Sequence, residues 1–596
     1  MINVSPEYRK ACKSPTRKSY FVIKYGLYNK KAKTSIQNVI GEAQPFSSIQ
    51  ETYDEVTQSN INYISCEPNR VKLNNSFAFV SNKNRESSKE MIGYWSKYMS
   101  NGNGYFSSNP TITYVFNDYI EFTDLTLSFQ EVVENFIVKY YNDDTLVYTR
   151  TISNNSNLVV ETTDIGGTSL PSYFNKLEIT FVKTKEANRY VKFNEVDFGV
   201  YQKFEKDEIK SLDIIDELSI DSSELSSNSI NVTINDIDGN YDILNPYNKL
   251  RLLRERQELS CYHYLRVGNE YQEVPLGTFL LKTISTENNA LILEGYDDTY
   301  FMNKIYYGSK FYTNVSCSII FKDIFNYFNY SANKYLIEDE LENIKLTGYI
   351  PQVEMKEALR MVAEASGCVI NKTRYGITHI FKTSYNNSVK TFGTSEISSA
   401  RPQRNLYDNV IDITAYNYDT LSDEEEKLYS GTLDKQEIII TFNKSPLNYE
   451  KYKNNISALK GNDGDFDILE ISATCCRIRV NQDGTKVILK GQYYILDKAV
   501  IRAKKDEDVV VDDYAITKVD NTLITNNNAQ NIANWKLSRR NIKFDFDCML
   551  TPYIEVGDNC RYVTNYKTLN GEQVIRDFTP TYLNFTNSIK QTIEGE

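Results

Sequence analysis

The sequence predicts a mainly β protein of several domains, and two observations carry this prediction. Short runs of aromatic and β-branched residues, separated by Asn, Asp, Gly and Ser, fill most of the 596 residues. Several stretches between 209 and 301 alternate apolar with polar residues, as strands with one buried face do. Helical periodicity is confined to three short segments. A chain of this length is expected to form about three to five domains.

The composition is that of a globular protein and excludes some functions. The chain carries 67 basic and 79 acidic side chains, a net charge of −12, which argues against specific nucleic-acid binding as its task. No run approaches about 18 consecutive apolar residues, so no transmembrane segment is expected. The N-terminus lacks the apolar core of a secretory signal, and the nine cysteines form no C-x-x-C pair. We therefore expect reduced thiols and synthesis in a cytosol.

Two histidines are too few for most catalytic constellations. His263 and His379 both lie in alternating, strand-like contexts, without an H-E-x-x-H or G-x-S-x-G motif nearby. We expect both imidazoles to pack in sheets. The sequence thus predicts no enzyme, no cofactor and no metal site. A glycosidase that uses only carboxylates stays open as an alternative, because acidic residues are abundant.

The segment 231–250 contains three aspartates, and the first two, Asp236 and Asp238, could hold calcium or form a turn. A calcium loop of the helix–loop–helix type needs oxygen ligands at its first and twelfth positions. With Gly239 as the sixth residue, these positions are Ile234 and Asn245, which do not provide them. We therefore interpret Asp236 and Asp238 as part of a turn after a strand, with Gly239 supplying positive φ.

About eight short strands between 76 and 201 predict a β-sandwich. The segments LEITFV and FNEVDFG resemble the end of a discoidin-like jelly roll, a fold of many carbohydrate-binding modules, and 94–106 resembles its early loop. The resemblance makes Tyr94, Trp95 and Tyr98 candidates for glycan contact by ring stacking. Alternatively Trp95 anchors the sandwich core, which the usual burial of tryptophan favours.

The remaining strands and helices follow from periodicity. The segment 274–301 indicates a strand, a polar turn at 287–289 and a returning strand, and its alternation suits a small barrel. Apolar stripes predict helices in SIIFKDIFNYF and in EMKEALRMVAEASG, the second ending at Gly367. A third helix is expected after Thr525 as its N-cap and ends near Arg539.

The order of several segments resembles the baseplate hub, or tail-tip hub, proteins of tailed bacteriophages and phage-tail-like bacteriocins. One of them contains D-x-D-G-x-Y-x-x-x-N-P, and another contains P-x-x-E-x-G-D at 552–558. Together they cover most of the chain after residue 205: 231–259, 275–305, 348–381, 521–564 and 583–596.

The resemblance implies two tail-tube-like β-barrels, an inserted jelly-roll β-sandwich and a small α+β module. The expected boundaries are 1–50 with 203–295 for the first barrel, 51–202 for the insertion, 296–400 for the α+β module and 401–596 for the second barrel. It also implies a homotrimer that binds the hexameric tail tube protein, other baseplate proteins and the tape measure protein. The location implied is the baseplate of a virion or a tail-like particle, after synthesis in the host bacterial cytoplasm.

Three functions are therefore weighed. The first is a structural hub that connects tail tube to baseplate. The second is an adhesin of the tail tip that binds cell-wall glycan through the jelly-roll-like region. The third is a peptidoglycan glycosidase, for which no segment shows a distinctive pair of acids.

Overall fold

The computed structural model confirms a mainly β fold, with 51% of the residues in strands. It describes residues 1–596 except 15, 29, 54–61, 71–76, 79–91, 123, 163–172, 237–255, 384–387, 405–408, 507–510, 512–515, 540–541, 569 and 589. The chain divides into two compact units. The smaller comprises Lys24–Lys203, and the larger comprises Met1–Ile23 and most of the chain from Phe204 to Glu596.

The N-terminal third contains helices α1 (Pro6–Cys12) and α2 (Lys30–Thr34). Its strands are β1 (Ser19–Tyr28), β2 (Ile36–Gly41), β3 (Asn62–Tyr63), β4 (Phe77–Ala78), β5 (Tyr94–Trp95), β6 (Thr111–Glu121), β7 (Thr126–Phe129), β8 (Val133–Asn142), β9 (Thr145–Ile152), β10 (Val159–Glu161), β11 (Tyr173–Thr184), β12 (Lys192–Asp197) and β13 (Gly199–Glu205).

The middle third contains helices α3 (Cys317–Tyr327) and α4 (Met355–Ser366). Its strands are β14 (Ile209–Glu217), β15 (Ser229–Asn235), β16 (Glu258–Val267), β17 (Glu270–Glu287), β18 (Ala290–Tyr296), β19 (Ile305–Tyr306), β20 (Tyr312–Ser316), β21 (Tyr335–Ile337), β22 (Lys345–Gly348), β23 (Val353–Glu354), β24 (Val369–Lys372), β25 (Thr378–Phe381), β26 (Lys390–Phe392) and β27 (Ile397–Ala400).

The C-terminal third contains helices α5 (Tyr449–Tyr452) and α6 (Ala529–Leu537). Its strands are β28 (Gln403–Arg404), β29 (Val410–Asn417), β30 (Glu426–Leu433), β31 (Gln436–Thr441), β32 (Phe466–Ile471), β33 (Cys475–Val480), β34 (Thr485–Gly491), β35 (Asp497–Lys504), β36 (Ile516–Thr525), β37 (Ile542–Met549), β38 (Cys560–Lys567), β39 (Gln573–Phe578), β40 (Pro580–Thr586) and β41 (Lys590–Gly595).

The smaller unit is the predicted β-sandwich. A five-stranded sheet in the order β2-β6-β11-β8-β9 and a four-stranded sheet in the order β10-β7-β12-β5 share one apolar core. Alternate residues of β6, β8 and β11 point into that core, among them Tyr114, Phe136 and Phe181. The period-2 pattern read from the sequence therefore produces the two buried faces.

The larger unit is organised around one twelve-stranded sheet, which differs from the two separate barrels that the resemblance implies. Its path is β13-β1-β16-β17-β18-β15-β14-β40-β41-β37-β27, with β28 paired beside it to β37. Strands of both predicted barrel segments therefore belong to the same sheet. They meet where β14 pairs with β40 in antiparallel register, which we call the seam. No closed barrel is found among the strands that the structure describes.

The three predicted helices are present. Helix α4 ends at Ser366, and Gly367 follows it with φ of +65° and donates its N–H to the carbonyl of Glu364, as expected of a glycine at a helix C-terminus. Helix α6 begins four residues after Thr525. The side chain of Asn528 accepts a hydrogen bond from the N–H of Thr525 and therefore takes part in the turn before the helix. Helices α3, α4 and α6 share one core with β29 and β36.

Residues 418–496 form a further module that the sequence did not reveal. Strands β29 and β35 pair up to Asn417 and Asp497, and the chain between them returns to the point where it left. This segment contains β30 to β34 and has a core of its own, including Leu428, Phe466 and Val487. The module is therefore an insertion into a hairpin of the larger unit.

Candidate assembly surface

One face of the twelve-stranded sheet is polar across the seam. Pairing places Asp545 opposite Glu594, Glu594 opposite Tyr582, and Tyr582 opposite Glu217, so these residues form one row over four strands. A second row runs from Thr586 to Asp213, Asn231 and Glu294. We call this surface the polar face, and its acidic members are Asp213, Glu217, Glu294, Asp545, Asp547 and Glu594.

Burial is the main cause of two pKa shifts on the polar face, and neighbouring carboxylates add to it. Burial and the carboxylates of Glu224 and Glu594 raise the pKa of Glu217. Burial, together with the acids Asp213, Glu217 and Glu594, raises the pKa of the Tyr582 hydroxyl. The ammonium of Lys543 lies 2.5 Å from a carboxylate oxygen of Glu594 and offsets part of this charge. Asp547 differs from these groups, because hydrogen bonds from Thr592 and Ser399 lower the pKa of its carboxyl.

The opposite face of the seam is apolar and keeps the two halves of the sheet together. Ile214 of β14 stands directly opposite Phe585 of β40, and both side chains are fully buried. Leu212 and Leu583 add buried residues on the same strands. Because side chains alternate along a strand, this buried set forces the acidic set onto the other face.

Arg374 connects the buried side of the seam to the hairpin formed by β24 and β25. It lies in the turn between β24 and β25, and its side chain is 1% exposed. Its Nε lies 3.1 Å from Oδ2 of Asp216, and its other nitrogens donate to the carbonyl oxygens of Pro552 and Ile554. The guanidinium also lies 4.8 Å from the ring centre of Phe585. One side chain thereby connects β14, the 552–558 segment and β40.

A second buried acid, Asp297, follows β18, and its titration should make the stability of the fold depend on pH. Its carboxylate accepts hydrogen bonds from the N–H groups of Asn228 at 2.8 Å and Thr299 at 2.9 Å. Burial raises the pKa of Asp297 to about 7. An unfolded aspartate titrates near about 3.9, so between about pH 4 and pH 7 the folded state binds more protons than the unfolded state. The contribution of Asp297 to stability therefore falls as the pH rises through this range.

The variant Asp297→Asn removes this titration. We expect urea unfolding between about pH 4 and pH 8 to give a smaller difference in stability between variant and wild type at high pH than at low pH. Parallel pH profiles for the two proteins would show that Asp297 does not titrate in this window.

The two histidines lie in strands, as predicted. His263 of β16 is fully buried, its Nδ1 lies 3.1 Å from the Tyr8 hydroxyl, and burial lowers its pKa to about 3. In β25, Nε2 of His379 lies 2.8 Å from a carboxylate oxygen of Glu338. Within the described ranges, no group of three or more His, Cys, Asp or Glu could hold a metal ion. None of the helices described is both long and apolar enough to cross a membrane.

The three candidate glycan contacts occupy different environments. Tyr94 is fully buried in the sandwich core, and Trp95 is 1% exposed. The indole of Trp95 contacts the ring of Phe46 edge-on at 5.2 Å and lies 4.4 Å below the ammonium of Lys192. Tyr98 is 54% exposed, with the Lys97 ammonium 5.2 Å from its ring centre. Of the three, only Tyr98 presents its ring to solvent.

Strand β15 and the segment after it test a further prediction from the sequence. Strand β15 buries Ile230, Val232 and Ile234, as its alternation predicts. The predicted turn at Asp238 and Gly239 lies outside the described residues. The sequence did not single out Arg374, because it stands in N-K-T-R-Y-G, which reads as an ordinary polar hairpin turn.

No family model matches the chain, and no curated protein matches it. Among solved structures, it is similar to the 43 kDa tail protein of prophage MuSo2 from Shewanella oneidensis, with 11% identity, 66% of this chain and 94% of that chain covered, and a TM-score of 0.36. It is similar to the tail protein from Neisseria meningitidis MC58, with 10% identity, coverages of 66% and 93%, and a TM-score of 0.37. It is also similar to the family 32 carbohydrate-binding module of C. perfringens NanJ, solved with galactose, with 12% identity, coverages of 30% and 99%, and a TM-score of 0.18.

Proposed function

We propose that the chain is a structural hub protein of a phage-type tail tip or bacteriocin particle, and that it joins the tail tube to the baseplate without catalysing a reaction. The observation that carries the proposal is the seam, through which strands from the N-terminal and C-terminal segments form one sheet. A single chain thereby supplies two sheet halves side by side. The resemblance of segments 231–259, 521–564 and 583–596 to hub proteins supports the same function.

Symmetry explains why two sheet halves in one chain would be useful. A hexameric tube presents six equivalent positions, and a homotrimer of chains with two halves presents six as well. Continuing sheets around a ring would also cover strand edges that otherwise promote aggregation. The partners in this proposal are the tail tube protein, other baseplate proteins and the tape measure protein.

The oligomeric state tests the proposal. We expect mass photometry of the purified full-length chain to show a trimer, and we expect the chain to sediment with polymerised tail tube protein. A control is the variant Leu583→Asp, which places a charge on the buried side of the seam. This variant should neither form the trimer nor sediment with the tail tube protein. A strictly monomeric protein that never sediments with tubes would contradict the proposal.

The polar face would line the passage for DNA in such a ring. Its carboxylates would repel phosphates, so DNA could pass without adhering. We predict that the wild-type chain does not retard double-stranded DNA at about 0.15 M salt. The triple variant Asp213→Lys, Glu217→Lys and Glu294→Lys should retard it in a salt-dependent manner, because it creates a basic surface.

A matched control for this prediction lies elsewhere in the larger unit. Asp339→Lys, Glu340→Lys and Glu342→Lys change the net charge equally at three exposed positions. This control should bind DNA more weakly than the polar-face variant. Equal retardation by the two variants would show that net charge alone governs the effect.

A second function, adhesion to cell-wall glycan, is favoured by the exposed ring of Tyr98. Aromatic rings at the surface stack on sugar rings, and the smaller unit is a sandwich with this ring in a loop. Binding of the full-length chain to purified cell-wall polysaccharide, and its loss in Tyr98→Ala but not in Tyr375→Ala, would support adhesion. Tyr375 is 63% exposed and lies in the larger unit.

A further inference from the structure

The inserted module 418–496 is not required to close the hairpin that carries it. Asn417 and Asp497 pair directly, so a short turn between them would complete the antiparallel strands. The module nevertheless contains five strands and its own buried core. A segment of this size that the surrounding sheet does not need indicates a task of its own.

The module and helix α3 of the α+β module enclose a cleft of about 550 Å³. This volume is within the range of binding sites. Its walls include Tyr307, Tyr327, Asn329, Ile439, Glu470 and Arg477. The last three come from β31, β32 and β33, whose outward side chains form the floor.

The walls of the cleft are held in place before any ligand binds. The ring of Tyr327 packs over Gly308, where an added Cβ would lie 2.4 Å from a ring atom, and contacts Tyr306 edge-on at 5.1 Å. The inserted module is connected to the segment before α3 by a hydrogen bond of 2.6 Å from the N–H of Ala473 to the carbonyl of Ser309. A preformed cleft reduces the entropy that binding costs.

Two arginines of β33 differ in how many of their N–H donors are already hydrogen-bonded, and only Arg477 lines the cleft. Arg479 donates from Nε and from a terminal nitrogen to Glu437. Arg477, two residues earlier on β33, has one contact of 3.2 Å to Glu470 among the described residues. A guanidinium has five N–H donors, so Arg477 can still bind an acceptor that enters the cleft. Ile439 stands directly opposite Arg477 on β31 and is 37% exposed, as is Tyr327.

We infer that this cleft binds an extended polypeptide segment of a partner protein that carries an apolar side chain next to a carboxylate. The apolar side chain would lie between Tyr327 and Ile439, and the carboxylate would accept hydrogen bonds from Arg477. Tyrosine and arginine around a partly apolar centre are the composition of interface hot spots. This inference does not depend on the trimeric hub, because all residues of the cleft belong to one chain.

The test uses the full-length protein and three fluorescein-labelled decapeptides. The first alternates Leu with Asp, the second alternates Leu with Lys, and the third alternates Ser with Asp. Fluorescence polarisation should show binding of the Leu/Asp peptide, with the other two at least about tenfold weaker. Arg477→Ala should weaken binding of the Leu/Asp peptide at least about tenfold.

Arg479→Ala is the matched control. It removes the same side chain from the same face of the same strand, but Arg479 does not line the cleft. It should leave peptide affinity within about twofold of wild type. The inference is overturned if no peptide binds up to about 1 mM, if the Leu/Lys peptide binds best, or if both arginine variants weaken binding equally. It is also overturned if soluble glycan displaces the peptide.

Discussion

Arg374→Ala is expected to lower the free energy of unfolding by about 3–5 kcal/mol, because it leaves a buried carboxylate and two buried carbonyls without their partner. Asp216 is 3% exposed, and the carbonyl oxygens of Pro552 and Ile554 accept from the same guanidinium. Arg374→Lys should recover little of this stability, since one ammonium cannot reach three separate acceptors in a planar fork. Urea unfolding followed by circular dichroism measures the effect.

The control for Arg374 is an arginine at the surface. Arg502 makes two hydrogen bonds of 2.7 Å to Asp412, and its side chain is 47% exposed. Arg502→Ala should cost about 0–1 kcal/mol, because water replaces the pair. If both variants lose the same small amount, Arg374 does not hold β14, the 552–558 segment and β40 together.

Gly348→Ala is expected to destabilise the larger unit by about 2–5 kcal/mol, from overpacking and backbone strain combined. Gly348 ends β22 with φ of +135°, and an added Cβ would lie 2.1 Å from the carbonyl oxygen of Thr522. That oxygen is not free to move, because it accepts a hydrogen bond of 2.6 Å from the Tyr418 hydroxyl. Thermal unfolding should show a lower Tm for this variant.

The variant Gly484→Ala is the control for Gly348→Ala, because it introduces backbone strain without a steric clash. Gly484 also has positive φ, +70°, but an added Cβ would meet nothing within 4 Å. We expect a loss of about 1 kcal/mol, from the left-handed backbone alone. If Gly348→Ala costs no more than Gly484→Ala, the close approach of β22 to β36 does not constrain the fold.

Local patterns in the sequence predicted local structure well. The apolar stripes of α3 and α4 and the alternation of β15 depend only on which residues share a face, and they are confirmed. The sandwich was predictable for the same reason, because apolar and polar residues alternate along several of its strands. Helix α6 starts later than predicted, because Thr525 ends β36.

Long-range pairing could not be read from the sequence. Each strand of the sheet has the same alternation whichever strand it pairs with, so the pattern did not show that Ile214 meets Phe585 across 371 positions of sequence. For this reason the sequence did not show that strands of both expected barrel segments lie in one sheet, and no closed barrel is found among the described strands. The insertion at 418–496 was missed because its strands have the same composition as those around it.

The polar face and the cleft also could not be predicted from the sequence. Asp213, Glu217 and Glu594 are ordinary exposed acids by pattern, and only the pairing register brings them into one surface. The sequence places the three aromatic glycan candidates in one segment, but Tyr94 and Trp95 are buried and Tyr98 is exposed. The four predicted domain boundaries and the trimer remain predictions.

Electron cryomicroscopy of the full-length chain bound to its tail tube protein tests directly whether the chain is a trimeric hub. We expect a threefold ring in which each chain contributes a continuous sheet across the seam, with the polar face toward the axis. A complex of single chains with no rotational symmetry, or a ring in which β14 and β40 are separated, would contradict it.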